Sequence, residues 1–88
     1  MNQDNKHALE KAVDAALAGD WQTAHEIAQE YDDGFANWLH AVLHKIEGDK
    51  FNSRYWYAKT DGRKFADFSD AREELVALKT SLKSPANE

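Results

Sequence analysis

Four glycines divide this chain at nearly even intervals, and that spacing limits the elements the chain can form. Gly19, Gly34, Gly48 and Gly62 are separated by 15, 14 and 14 residues, and the single proline is Pro85. Glycine often ends a helix, because it adopts the left-handed backbone conformation without a steric penalty. The sequence contains no sustained apolar–polar alternation of the kind that marks a strand. The pattern therefore predicts an all-α protein built from short helices.

Between the glycines, apolar residues repeat at intervals of three and four, the period of a helix with one buried face. The predicted helices span residues 4–18, 21–31, 35–47, 50–59 and 69–83, and the longest loop spans 60–66. The predicted core face of helix three comprises Phe35, Leu39, Val42, Leu43 and Ile46, and that of helix five comprises Phe68, Ala71, Leu75, Leu78 and Leu82. A chain of 88 residues is expected to form one domain, here at 1–83, with a flexible tail at 84–88.

An internal repeat relates the second and fourth helices. The segment GDWQTA at 19–24 aligns with GDKFNS at 48–53, a shift of 29 residues that superposes the small residues Ala24 and Ser53. In each copy an aspartate, Asp20 or Asp49, is placed to accept the free N–H groups of the helix that follows. Two helical hairpins with a small residue at the contact resemble the architecture of tetratricopeptide repeats, although the period differs from the usual 34 residues. We expect helix five to cover the second hairpin.

Charge and composition exclude several classes of function. There is no cysteine, so disulfides and thiolate metal sites are ruled out. The net charge of −5 argues against general nucleic-acid binding. Residues 50–64 are an exception with a local charge of +4 and interleaved aromatic residues, which suits either a stacking and phosphate-binding surface or a solvated helix face. The N-terminal segment has no apolar run, so a cytoplasmic protein without a signal peptide or membrane anchor is predicted.

The candidate site lies on helix three. His40 and His44 are four residues apart and Glu47 follows, which places all three on one flank of the predicted core face. Neighbouring helices and the long loop are expected to add further polar side chains. The predicted ligand-binding residues are His25, His40, His44, Glu47, Asn52, Tyr55 and Arg63.

Three interpretations of this cluster remain open. Histidines four apart can hold a metal with Glu47 as a third ligand, but the segment reads HAVLH and lacks the glutamate of the HExxH motif, so no metal or cofactor is predicted. A His–Glu pair can also perform acid–base catalysis, although no nucleophile is marked. The structural alternative is that His40 or His44 hydrogen-bonds Tyr55 or Asn52 and fixes how helix three meets helix four.

Residues 38–63, WLHAVLHKIEGDKFNSRYWYAKTDGR, resemble a family of uncharacterised small helical proteins of bacteria, with related segments in fungi. The matching positions are Trp38, His40, His44, Glu47, Gly48, Asp49, Asn52, Tyr55, Trp56, Tyr57, Gly62 and Arg63. Ala24, His25 and Gln29 also resemble the second helix of that family, whereas Lys45 stands where arginine is usual. The resemblance implies that a site exists and implies no particular reaction.

The sequence favours a helical-repeat-like module that interacts with another protein or binds a small ligand. The polar site beside the core motivates this prediction, and a homodimer is compatible with it because two hairpins leave apolar faces to cover. The alternative is a small enzyme or metal-binding protein, hydrolase-like, that uses His40, His44 and Glu47. Whether the chain is an enzyme is left open, and binding of nucleic acid or membrane is not expected.

Overall fold

All regular structure in residues 3–83, the part of the chain described by the computed structural model, is helical. The five α-helices are α1 (Gln3–Leu17), α2 (Trp21–Ala28), α3 (Gly34–Ile46), α4 (Lys50–Tyr57) and α5 (Ala71–Lys83). A single 3₁₀ turn, Phe65–Asp67, interrupts the long connection between α4 and α5. The all-α prediction is confirmed, while α5 begins at Ala71 rather than at residue 69. The predicted tail at 84–88, including Pro85, lies outside the described residues.

The two Gly-Asp pairs end one helix and begin the next, as the repeat predicts. Gly19 and Gly48 have φ angles of 88° and 83°, which glycine adopts at little cost. Asp20 then accepts a hydrogen bond from the backbone N–H of Thr23 at 3.2 Å, and Asp49 accepts one from that of Asn52 at 3.1 Å. These caps satisfy N–H groups that lack a partner in the first turn of a helix.

Gly34 does not follow this pattern. It is the first residue of α3 rather than a residue that ends a helix. Asp33 caps α3 by accepting a hydrogen bond from the Ala36 N–H at 2.9 Å. The regular spacing of the glycines therefore predicted where the helices are connected, but it did not predict that Gly34 begins a helix.

Helix α3 is the central element of the molecule. Every residue from Ala36 to Leu43 is buried. Helix α1 packs against α2 and α3 packs against α4, so the predicted helix pairs are present. Helix α5 packs on α3 of the second pair and also on α1 of the first, so it joins both pairs.

The small residues aligned by the repeat lie at helix contacts. Ala24 and Ser53 are both fully buried. The Ser53 hydroxyl donates a hydrogen bond of 2.7 Å to the carbonyl oxygen of Ala41, inside the contact between α4 and α3. A larger side chain at either position would force the helices apart, since protein interiors are close-packed.

Two residues of the predicted core faces are placed differently. Ile46, in the last turn of α3, is 45% exposed rather than buried. Phe68 packs against the core but precedes α5, in the connection that follows the 3₁₀ turn. Leu39, Val42 and Leu43 are fully buried as predicted.

None of the helices in the described range is both long enough and apolar enough to span a bilayer.

Candidate metal centre

Helices α2 and α3 bring three histidines together. His25 comes from α2, and His40 and His44 lie one turn apart on α3. One ring nitrogen of each lies within 4.8 Å of the other two. The ring centroids of His25 and His40 are 4.7 Å apart, and those of His40 and His44 are 5.0 Å apart. We call these three residues the histidine cluster.

Two tryptophans stack on two of the imidazole rings of the histidine cluster, those of His25 and His40. Trp56 of α4 stacks on His40 with a centroid distance of 3.9 Å and an interplanar angle of 11°. Trp21 of α2 stacks on His25 at 4.6 Å and 10°. The Trp21 indole is itself fixed, because its Nε1–H donates a 2.7 Å hydrogen bond to the carbonyl oxygen of Leu43. The imidazole rings therefore sit in defined orientations.

Burial favours the neutral form of two members of the histidine cluster, His40 and His25. His40 is only 5% exposed, and burial, together with the nearby His25 and His44, lowers its pKa to about 4. Burial and then His44 also lower the pKa of His25, and this outweighs the opposing effect of Glu47 and Glu26. A neutral imidazole is the form that binds metals. At neutral pH His25 and His40 thus present lone pairs rather than positive charge.

Glu47 orients the third histidine. Glu47 directly follows α3, and its carboxylate oxygen Oε1 lies 2.5 Å from Nδ1 of His44, three residues earlier in the chain. When Nδ1 carries the proton and donates it to Glu47, Nε2 is left with its lone pair. A carboxylate that fixes the tautomer in this way is the usual second partner of a metal-binding histidine.

Asp49 extends this polar group toward α4. Its carboxylate lies within 4.8 Å of the ligand atoms of His44 and Glu47. Its two oxygens accept hydrogen bonds from the side-chain and backbone N–H groups of Asn52, and the side-chain bond first, then the backbone bond, lower the pKa of Asp49. Asp49 is thus ionised and already bonded as the cap of α4.

Of the predicted site residues, the structure brings together His25, His40, His44 and Glu47, joins Asn52 to them only through Asp49, and places Tyr55 and Arg63 in other contacts. Asn52 bonds Asp49, as described above. Tyr55 is 51% exposed and touches the edge of Trp56. Arg63 lies over Trp38, with its Cζ atom 3.5 Å from the ring centroid.

The predicted hydrogen bond from His40 or His44 to Tyr55 or Asn52 is wrong. In the part of the chain that is described, His44 bonds Glu47, and no side chain or backbone group hydrogen-bonds the ring nitrogens of His40 or His25. Trp56, rather than Tyr55, is the residue of α4 that contacts His40. Stacking rather than hydrogen bonding joins α3 to α4 at this point.

A second polar cluster, which was not predicted from the sequence, lies on the other side of α3. It joins α3, α4 and α5. Glu74 of α5 is 1% exposed, and its Oε2 accepts hydrogen bonds from Trp38 Nε1 at 2.8 Å and from the Tyr57 hydroxyl at 2.6 Å. Lys45 Nζ donates to the other oxygen, Oε1, at 2.7 Å. We call Trp38, Lys45, Tyr57 and Glu74 the Glu74 network.

Both carboxylate oxygens of Glu74 have hydrogen-bond donors in the Glu74 network. Lys45 also donates to the carbonyl oxygens of Phe65 and Phe68 at 3.0 and 3.1 Å, so it fixes the loop before α5. Burial and the bond to Glu74 raise the pKa of Tyr57, which therefore stays a neutral donor. One signal in the sequence pointed to this network. Glu74 occupies a position between Ala71 and Leu75 on the apolar face of α5, where a charge must find a buried partner.

No protein-family model, curated protein or solved structure matches this chain. The resemblance of residues 38–63 to a family of small helical proteins therefore stays a prediction. Function is inferred from the contacts of this chain's own residues.

Proposed function

We propose that this protein binds a divalent transition-metal ion, with zinc as the first candidate, through His25, His40 and His44. The observation that carries the proposal is the convergence of three imidazoles from two helices, with ligand nitrogens within 4.8 Å of one another. Zinc binds histidine nitrogen at about 2.0–2.1 Å, which puts the nitrogens of a tetrahedral site about 3.3 Å apart. Binding would therefore require the three nitrogens to move closer together than the 4.8 Å limit within which they lie.

The lowered pKa values of His25 and His40 support the proposal. A metal competes with protons for imidazole, so a lowered pKa removes that competition at neutral pH. His40 has a pKa of about 4, and that of His25 is lowered as well. Glu47 accepts from one nitrogen of His44 and leaves the other for the ion.

The number of ligands indicates what kind of metal site this is. Structural zinc sites are closed by four protein ligands, whereas three protein ligands leave a position for water or a further ligand. His25 and His44 are only half-buried, so that position faces the protein surface. Metal-assisted hydrolysis, the enzymatic alternative predicted from the sequence, requires such an open position.

The geometry favours an ion over an organic ligand at this site. Trp21 and Trp56 already occupy the faces of His25 and His40. Two clefts in the described part of the chain are lined by other segments, and no histidine lines either of them. The interaction or small-ligand module, the homodimer and the cytoplasmic location stay predictions from the sequence.

Metal titration of the untagged protein tests the proposal. We expect saturable binding of one zinc ion by calorimetry, and a tetrahedral absorption spectrum when cobalt replaces zinc. His25→Gln, His40→Gln and His44→Gln should each weaken binding at least about tenfold, because each removes one of three ligands. His7 is an exposed histidine of α1 outside the cluster, so His7→Gln is the matched control and should bind normally.

Circular dichroism of each variant separates loss of binding from loss of fold. The proposal fails if the folded wild-type protein shows no saturable binding. It also fails if His7→Gln weakens binding as much as the three cluster variants do.

A further inference from the structure

We infer that a second site, in the cleft between α4 and the loop that follows it, binds the phosphate group of a small molecule. The cleft has a volume of about 510 Å³, within the range of small-molecule sites. Its lining includes the cationic residues Arg54, Arg63 and Lys64, together with Thr60, Tyr57 and Phe65. We call it the basic cleft.

The cations of the basic cleft are not neutralised by the protein. Three ion pairs occur within residues 3–83, namely His44–Glu47, Lys45–Glu74 and Lys79–Asp14, and none involves Arg54, Arg63 or Lys64. Three positive charges that line one concave surface and form no ion pair attract anions there. This supplies an attraction for a phosphate group that the remainder of the acidic chain lacks.

Aromatic rings hold the two guanidinium groups of the basic cleft. The Cζ atom of Arg63 lies 3.5 Å from the ring centroid of Trp38, and that of Arg54 lies 4.8 Å from that of Phe65. An arginine stacked on a ring keeps the N–H groups at its edge free to donate, and its planar fork matches two phosphate oxygens. Both arginines are therefore oriented in advance for an anion.

The loop that carries Arg63 is itself fixed. The Thr60 hydroxyl donates to the carbonyl oxygen of Tyr57 at 2.7 Å and accepts from the N–H of Arg63 at 3.1 Å. Gly62 has a φ angle of 95°, which allows the chain to turn sharply before Arg63. A defined loop loses little conformational freedom when a ligand binds.

The charge distribution favours a small anion over a nucleic-acid strand. A second cleft of about 420 Å³ shares Arg63 with the basic cleft and is lined by Asp33 and Asp61. Residues outside 50–64 carry a net charge of −9. A long polyanion would meet these negative charges as soon as it left the basic cleft, whereas a single phosphate or pyrophosphate group would not.

Titration of the full chain with inorganic pyrophosphate, followed by backbone amide NMR, tests this inference. We expect saturable shifts of the amides of residues 54–66. Arg54→Gln and Lys64→Gln should each raise the dissociation constant at least about fivefold, because each removes a charged donor to phosphate. Lys11 is an exposed cation of α1, and Lys11→Gln should change the constant by less than about twofold, as expected for screened long-range charge.

Three results would overturn the inference: no saturable shift in the folded protein, an equal loss in Lys11→Gln, or shifts centred away from residues 54–66. Tighter binding of a single-stranded oligothymidylate than of pyrophosphate, with steep salt dependence, would also overturn it in favour of a nucleic-acid surface. His40→Gln should leave pyrophosphate binding unchanged. The metal-binding proposal and the phosphate-binding inference are therefore tested independently.

Discussion

The histidine cluster and the Glu74 network lie on either side of one central helix, and they differ in whether their polar atoms have partners. In the Glu74 network both carboxylate oxygens accept hydrogen bonds, from Trp38, Tyr57 and Lys45. In the histidine cluster one ring nitrogen, on His44, is bonded to Glu47, and the contacts of His25 and His40 are ring stacks. Both clusters use buried or half-buried groups that can carry charge.

That difference separates a structural role from a binding role. A buried polar group with every hydrogen bond satisfied fixes the arrangement of the elements around it and has nothing left to offer a ligand. Ring nitrogens held in place without partners keep their capacity to coordinate. Disrupting the Glu74 network should therefore affect folding, whereas disrupting the histidine cluster should affect binding and the response to pH.

The largest effect on stability should follow from Glu74→Gln. The change removes the buried negative charge that neutralises Lys45 and turns an acceptor into a donor facing Trp38 or Tyr57. Loss of one partner from a buried ion pair costs about 3–5 kcal/mol, which is a large part of the stability of a domain this small. Urea denaturation measures the change in the free energy of unfolding.

Glu73→Gln is the matched control for this change, because Glu73 is the exposed neighbour on α5. It should alter the free energy of unfolding by less than about 0.5 kcal/mol, as is usual for surface positions. A similar small effect of both substitutions would show that the Glu74 network does not stabilise the fold.

The next largest effect should come from adding zinc. An ion that binds only the folded state raises the free energy of unfolding by about 2.7 kcal/mol at a free concentration of 100 times the dissociation constant. Thermal denaturation with and without zinc measures this increase. His40→Gln, which weakens binding at least about tenfold, should reduce this increase to about half or less at the same zinc concentration. Calcium should not produce the increase, because calcium prefers oxygen ligands. An equal increase with calcium would point to nonspecific binding by the acidic surface.

Acid should destabilise the protein through the histidine cluster by a smaller amount. The pKa of His40 falls from 6.5 to about 4 in the folded state, so between those values the unfolded chain binds a proton that the folded chain does not. The free energy of unfolding therefore falls as pH is lowered through this window, by about 1–3 kcal/mol for His40. Denaturation at a series of pH values gives the free energy of unfolding as a function of pH. The slope of this dependence should be shallower for His40→Gln than for wild type. The control His7→Gln should keep the wild-type slope, and an unchanged slope in His40→Gln would contradict the assignment.

The smallest effect on stability is expected for Glu47→Gln, although its effect on binding is larger. The exposed pair formed by His44 and Glu47 contributes less than about 1 kcal/mol to stability without metal. Loss of the carboxylate that orients a metal-binding histidine typically lowers metal affinity 10- to 100-fold, which calorimetry with zinc would detect. Glu30→Gln, an exposed change away from the cluster, should leave the affinity unchanged. A large loss of stability without a loss of zinc affinity would show that Glu47 stabilises the fold and does not support metal binding.

The helices and their caps were predictable from the sequence because their causes are local. Gly19-Asp20 and Gly48-Asp49 each contain both the residue that ends a helix and the one that begins the next. The pairing of His40, His44 and Glu47 on one flank of α3 was predictable for the same reason, since it depends on helix periodicity alone.

Contacts between helices were harder to predict. The approach of His25 to His40, the stacking of Trp56 in place of Tyr55, and the exposure of Ile46 all depend on how far and at what angle neighbouring helices pack. Helical periodicity identifies the face that a residue occupies but not the partner it meets. The Glu74 network shows the same limit, because its members come from three helices.

The placement of the three tryptophans gives the molecule its own optical reporters. Trp21 and Trp56 stack directly on His25 and His40, whereas Trp38 donates its indole N–H to Glu74. Protonation of an adjacent imidazole, or coordination of a paramagnetic ion such as copper by it, quenches indole fluorescence. Emission from Trp21 and Trp56 should therefore follow occupancy of the histidine cluster, while emission from Trp38 follows the integrity of the fold. Comparison of variants that each keep one of the three tryptophans would separate binding from unfolding without an added label.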